Sequence, residues 1–177
     1  MKPHNQPEHL IIINRMANIL IDLFDHSGNA AEPYRAAGWH IIQVDIKHGI
    51  DILTWNYKAA IHIAHAKAVQ QHLYQWGKYS TSDFKFGLLA AIPCTDYAIS
   101  GAKHFKRKDA DGSTAKSQLL VNKSKEIIDW LDSNFELMFW KVENPRTRIH
   151  TLNPWLGNIT QKFNPCDFAG YMPITDG

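Results

Sequence analysis

Short apolar runs recur along the chain, and most of them close on an acid, a cysteine or a cluster of turn-forming residues. Ile19-Leu20-Ile21-Asp22-Leu23-Phe24 runs into Asp25-His26-Ser27-Gly28-Asn29, after which residues 30–37 read as a helix stopped by Gly38. His40-Ile41-Ile42-Gln43-Val44-Asp45-Ile46 is a second β-rich run, and the segment Gly49-Ile50-Asp51-Ile52-Leu53 follows it; both read as buried parallel strands. Residues 58–76 contain neither Gly nor Pro and suit a long helix. Phe86-Gly87-Leu88-Leu89-Ala90-Ala91-Ile92 is apolar throughout, the pattern of a strand covered on both faces, and it stops at Pro93-Cys94. A polar loop over 95–114 leads into an amphipathic helix over 115–131, with Leu119, Leu120, Ile127, Ile128 and Leu131 as its expected apolar stripe. The last run, Glu136-Leu137-Met138-Phe139-Trp140-Lys141-Val142, stops at Glu143-Asn144-Pro145.

Strands alternating with helices through short turns predict an α/β fold, a mostly parallel sheet with helices on both faces. Such sheets bind ligands in the crevice outside the carboxyl ends of their strands. Asp25, Asp45, Cys94 and Glu143 all follow predicted strands, so one rim is expected to carry all four.

The 177 residues suit one domain with a sizeable core, and the 45% apolar and 20% charged fractions exclude a disordered, collagen-like or coiled-coil chain. Nineteen Lys and Arg against 17 Asp and Glu leave a formal net charge of +2, so a nucleic-acid partner must be held by a local patch. Lys103-His104-Phe105-Lys106-Arg107-Lys108 is the concentrated patch. It reads either as a phosphate-holding segment with Phe105 available to stack, or as an ordinary solvated loop. Two cysteines, Cys94 and Cys166, are too few for a disulfide scaffold and point to a reducing cytoplasm. Residues 1–9 read as a polar tail, and the apolar run from Leu10 to Ile13 is too short for a signal-peptide core or a membrane span.

Each rim residue is ambiguous alone. Cys94, in a strand-to-loop turn near a cationic stretch, reads as a nucleophile or as a small core hydrophobe. Glu143 before Asn-Pro reads as a general acid or a turn residue. The loop around Gly28 offers backbone N–H groups to a ligand but lacks the dinucleotide fingerprint. Asp45, 17 residues beyond Gly28, is placed either to accept from ribose hydroxyls or to be solvated, and Asp51 reads equally as a cap. Ten histidines show no spacing that gathers ligands with a cysteine, so no metal site is expected.

The order of the pieces is more specific than any one of them. Asp22-Leu23-Phe24 with Gly28, Val44-Asp45-Ile46, Gly49-Ile50-Asp51-Ile52, Ile92-Pro93-Cys94 and Val142-Glu143-Asn144-Pro145 follow one another as in the cytosine-C5 DNA methyltransferases. Over residues 19–170 the chain resembles that family in its short phage and prophage type, with Pro93-Cys94 and Glu143-Asn144 as the diagnostic pieces. The resemblance implies a Rossmann-like S-adenosylmethionine-dependent methyltransferase fold with DNA as partner. It implies that the Cys94 thiolate adds to C6 of a flipped-out cytosine while Glu143 donates a proton or hydrogen bond at N3, so that C5 can take a methyl group. S-adenosylmethionine is the implied donor, with Phe24 and Gly28 beside its methionine part, Asp45 on the ribose, Asp51 at the adenine amino group, and Asp22, Ile46 and Pro93 placed by motif position. Asn144 is implied to hold the Cys94 loop. Arg146 and Arg148 are candidates for anchoring a substrate phosphate or cytosine O2, and Lys103, Lys106, Arg107 and Lys108 for holding DNA phosphates.

The chain also departs from the family pattern. His26 stands where the family has glycine, which puts an imidazole at the methionine end of the cofactor site. Thr95 and Pro145 replace the usual Gln and Val after Pro-Cys and Glu-Asn. No segment corresponds to a target-recognition domain, which predicts low sequence specificity, and the C-terminus reads as shortened after Asn164-Pro165-Cys166. Two other readings therefore stand beside the first: a degenerate methyltransferase-fold protein that binds DNA or a partner without catalysis, and a pyrimidine-nucleotide enzyme using the same Cys chemistry on a free monophosphate.

Overall fold

A computed structural model describes residues 17–76, 84–145 and 147–162, so residues 1–9, Arg146 and Cys166 lie outside the described residues. Its elements are β1 (Ala17–Leu23), α1 (Glu32–Ala36), β2 (His40–Val44), α2 (Tyr57–Trp76), β3 (Phe84–Ala91), α3 (Phe105–Ala110), α4 (Ser113–Asn134), β4 (Glu136–Glu143) and α5 (Ile149–Leu152). Short 3-10 turns cover Ile46–His48, Ile99–His104 and Pro154–Leu156. The four strands form one sheet in the order β2-β1-β3-β4, and every neighbouring pair is parallel. This is an α/β architecture consistent with a Rossmann-like fold. No helix among the described residues is long and apolar enough to cross a membrane.

Burial on both faces explains the unbroken apolar runs: in the inner strand β1, Ile19, Leu20, Ile21 and Leu23 have no exposed surface. Alternation sends Ile19, Ile21 and Leu23 to the same face as Phe84, Phe86, Leu88 and Ala90 of β3, where they join one buried cluster with Ile61, Val121, Ile127 and Leu131 of α2 and α4. Rings close this layer, with Phe86 and Phe135 centroids 4.4 Å apart and His65 edge-on to Phe84. The opposite face carries the short α1, whose Tyr34 packs with Trp39 against Phe139. A Cβ on Gly87 would stand 2.5 Å from the Phe139 ring, so it is the missing side chain that lets this ring lie on the strand.

Several predicted boundaries are corrected, each for a local reason. Residues 49–53 form no strand: Gly49, at φ 77, closes the turn begun at Asp45, and Asp51 accepts from Leu53 N–H at 2.9 Å. Ile52 is buried there in a turn, outside the sheet. β2 ends at Val44 because Asp45 caps the next turn through Lys47 N–H at 2.8 Å. The helix expected over 30–37 is confined to Glu32–Ala36. The 95–114 loop contains a 3-10 turn and α3, stabilised by Asp96 and Asp111 pairing with its own cations. α4 is longer than expected at both ends, and Leu119 of the predicted stripe is 53% exposed. Val121 and Ser124 are buried instead, at helical spacing from Ile127, Ile128 and Leu131. Ser124 is satisfied there because its hydroxyl donates to Leu120 O at 2.9 Å.

Candidate functional site at the carboxyl rim

The register brings the strand ends to one edge: Leu23 pairs with Val44 and with Ala90, and Ala91 pairs with Glu143. Asp25, Asp45 and Cys94 follow within a few residues, so the rim carries all four predicted residues. Since the chain leaves β1 for β2 on one side and returns to β3 on the other, the switch point lies between β1 and β3. A cleft of about 470 Å³ opens there, lined by Asp22, Asp25, Tyr34, Ala91, Lys141 and Glu143 among others. Cys94 is outside its lining. A recess of about 220 Å³ between α4 and β4, bounded by Lys125, Trp140 and Trp155, contains none of the rim residues.

Asp25 organises the first loop. Its Oδ1 accepts from Ser27 N–H at 2.9 Å, Ser27 Oγ at 2.6 Å and Gly28 N–H at 2.9 Å, and its Oδ2 accepts from Ala30 N–H at 2.9 Å. This Asx-type turn satisfies the Ser27, Gly28 and Ala30 N–H groups within the loop, so the amides that the sequence suggested for a ligand are already bonded to Asp25. Gly28, at φ 73, is buried against the Gln43 amide, which donates to Asp25 O at 2.5 Å. Phe24 also adopts the left-handed conformation, at φ 65, a cost of about 1–2 kcal/mol for a residue with a Cβ. Its N–H donates to Val44 O at 2.8 Å. His26 does not point into the cleft: its ring stacks on His48, whose Nε2 donates to His26 O at 2.9 Å.

Asp22 is 1% exposed, and its Oδ2 is buried without a partner. Burial first, then the charge of Asp25 and a hydrogen bond to it, raise the Asp22 carboxyl to about 7. Asp25 moves the other way. Its partial burial opposes ionisation, but the Ser27 hydroxyl and the N–H groups of Ala30, Gly28 and Ser27 outweigh it and hold the carboxyl below the usual range. The floor of the cleft therefore pairs a protonatable acid with a fixed anion.

Cys94 is a free, half-buried thiol in the turn after β3. Its carbonyl accepts from Tyr97 and Ala98 N–H, each at 2.9 Å. Asn144 Nδ2 donates to Ile92 O at 2.7 Å, tying the end of β4 to the backbone two residues before Cys94. Glu143 is exposed beside it and lines the cleft, and Pro93 is exposed in the turn. Asp45 and Asp51 each spend one oxygen on their own loop, on Lys47 and Leu53 N–H, and Ile46 is 68% exposed at the rim.

The basic segment is divided. Lys103 and Lys106 are exposed, and Arg107 pairs with Asp111 at 2.8 Å on the surface. Lys108 is turned inward instead, onto Asp96 Oδ1 at 2.8 Å and Thr95 O at 2.5 Å. Arg148 is bidentate with Asp109 at 2.7 and 2.9 Å, and its guanidinium lies 3.7 Å from the centre of the Phe105 ring, which is thereby covered on that face. Arg148 and then Thr114 depress the Asp109 carboxyl to about 2, and Lys108 and Ser117 hold Asp96 below its usual range. Sequence reasoning singled out the cations and missed the acids Asp96 and Asp109, as well as Gln43, His48 and Lys141. The Asp-x-Ser-Gly turn signal around Asp25 was available in the sequence.

Among the described residues no group of three or more His, Cys, Asp and Glu is placed to hold a metal ion. No family model, curated protein or solved structure matches the chain.

Proposed function

We propose that this protein is an S-adenosylmethionine-dependent DNA cytosine-C5 methyltransferase. The observation that carries the reading is the Asn144 amide on Ile92 O, which ties Glu143-Asn144 to the Pro93-Cys94 turn at one rim of a parallel sheet. Cytosine C5 becomes nucleophilic only when something adds at C6, so the chemistry needs a thiolate at C6 and a proton donor across the ring at N3, both reaching one bound pyrimidine. Cys94 adds to C6, and Glu143 donates at N3 to take up the charge that develops on the ring. After C5 has gained its methyl group and lost its proton to a base or water, the C6–S bond breaks and the thiolate is restored.

The rim residues fit the implied cofactor. Ile46 offers an exposed apolar surface for a purine, and Asp45 and Asp51 each keep one oxygen free of hydrogen bonds among the described residues, whereas the space beside Gly28 is taken by the Gln43 amide. The chemistry supplied when S-adenosylmethionine is bound is one electrophilic methyl group. Phe24 and Gly28 would hold its methionine end, Asp45 its ribose and Asp51 its adenine, while exposed Lys103, Lys106 and Arg107 would meet DNA phosphates.

Digestion of DNA treated with the protein and labelled S-adenosylmethionine, followed by mass spectrometry of the nucleosides, tests this. The proposal requires 5-methylcytosine with the wild type and none with Cys94→Ala; label on an exocyclic nitrogen, or no label, overturns it. One observation favours a second reading, a methyltransferase-fold protein without catalysis: the cleft reaches Glu143 and not Cys94. Calorimetry with S-adenosylhomocysteine separates the two, since only the enzyme requires that site to be intact.

A further inference from the structure

The turn that carries Cys94 is gripped from both sides by the segment that follows β4. Before the cysteine, Asn144 donates to Ile92 O. After it, Arg148 Nε and Nη2 both donate to Asp96 O at 3.3 and 3.2 Å, and Arg148 N–H donates to Tyr97 O at 3.1 Å. Ala98 and Thr147 form an antiparallel bridge beside these bonds. The guanidinium is itself fixed by Asp109, by Thr114 Oγ1 at 3.0 Å and by the face of Phe105. Lys108 supplies the remaining tie, to Thr95 O and Asp96, whose second oxygen accepts from Ser117 Oγ at 2.5 Å. With Cys94 O bonded to Tyr97 and Ala98 N–H, the carbonyls of Ile92, Cys94, Thr95, Asp96 and Tyr97 all have donors.

We propose that Arg148 and Lys108 are positioning residues for Cys94, a two-cation clamp on the backbone that follows the nucleophile, and that neither binds nucleic-acid phosphate. Resting on the methyltransferase reading, this separates the cations into two sets. Nε, Nη1 and Nη2 of Arg148 are all engaged within the protein, and the side chains of Arg148 and Lys108 are 17% and 13% exposed. Lys103 and Lys106, on the same segment, are exposed and free to meet an anion. Holding a nucleophile to within a fraction of an ångström matters, because a displacement of about 1 Å can cost about 100-fold in rate. The planar fork of arginine suits a site that joins a carboxylate to a carbonyl; a lysine cannot reproduce it.

The test uses Arg148→Gln and Lys108→Gln, with Asp109→Asn as a milder variant that loosens Arg148 from the exposed side. Hydrogen exchange at the Tyr97 and Ala98 amides is expected to accelerate in all three. The rate of covalent adduct formation with 5-fluorocytosine DNA is expected to fall about 10- to 100-fold, with DNA affinity and its salt dependence unchanged. Arg148→Lys should behave like Arg148→Gln. If these cations instead bound phosphate, each neutral variant would lower the slope of log affinity against log salt by about 0.9 and leave amide exchange as in the wild type, and the clamp would be overturned. Absence of any adduct with the wild type would remove the methyltransferase reading alone, since exchange at Tyr97 and Ala98 still decides the clamp without DNA.

Discussion

Burial and the charge of Asp25 raise the Asp22 carboxyl to about 7, against about 4 in an unfolded chain. The folded protein therefore holds a proton through that interval that the unfolded chain has released, and stability falls as pH rises from about 4 to about 7, by at most about 1.4 kcal/mol per pH unit from this group. Asp25, held below its ordinary value, contributes in the opposite sense and only at lower pH. Asp22→Asn is expected to flatten the profile between pH 4 and 7 and to raise the melting temperature at pH 8, as scanning calorimetry across that range would show; an unchanged profile would mean that Asp22 is ionised in the folded protein. Asn144→Ala leaves Ile92 O without its donor, and a loss of about 1–3 kcal/mol in urea unfolding is expected. At this scale the rim residues were legible, because a residue that ends an apolar run ends a strand. Arg148 was legible as a cation and not as a clamp: Asp109, its partner, lies 39 positions away, and no local pattern joins them.

The strands and the two long helices follow from patterns that operate over a few residues: continuous apolar runs for β1 and β3, and absence of Gly and Pro for α2. One failure arises because short apolar stretches do not say whether they are buried in a sheet or in a turn. Residues 49–53 look like a strand, yet Gly49 and the side chains of Asp45 and Asp51 satisfy their backbone locally. α3 was hidden by polarity, which in this segment reflects internal ion pairs as much as solvation. Gly87 was read simply as part of an apolar run, whereas the structure uses it to seat Phe139. Gly87→Ala is expected to destabilise by about 1–3 kcal/mol through overpacking, with part of the loss recovered in the double variant with Phe139→Leu; additive losses in chemical denaturation would show that the two sites do not touch.

On the scale of the molecule, a parallel sheet with one switch point creates the crevice, and the chemistry depends on what the strand ends place there. Asp22 and Asp25 come from β1 and its loop, Cys94 follows β3, and Glu143 and Asn144 close β4, so residues more than a hundred positions apart meet at a single edge. The central claim is that Cys94 is a nucleophile toward a pyrimidine ring. Cytosine fluorinated at C5 tests it directly, because the fluorine replaces the proton that must leave before the C6–S bond can break. Intact-mass spectrometry after incubation with 5-fluorocytosine DNA and S-adenosylmethionine should reveal a protein–DNA adduct mapped to Cys94 and lost in Cys94→Ala. An unmodified wild-type protein under saturating ligand and DNA would contradict the account.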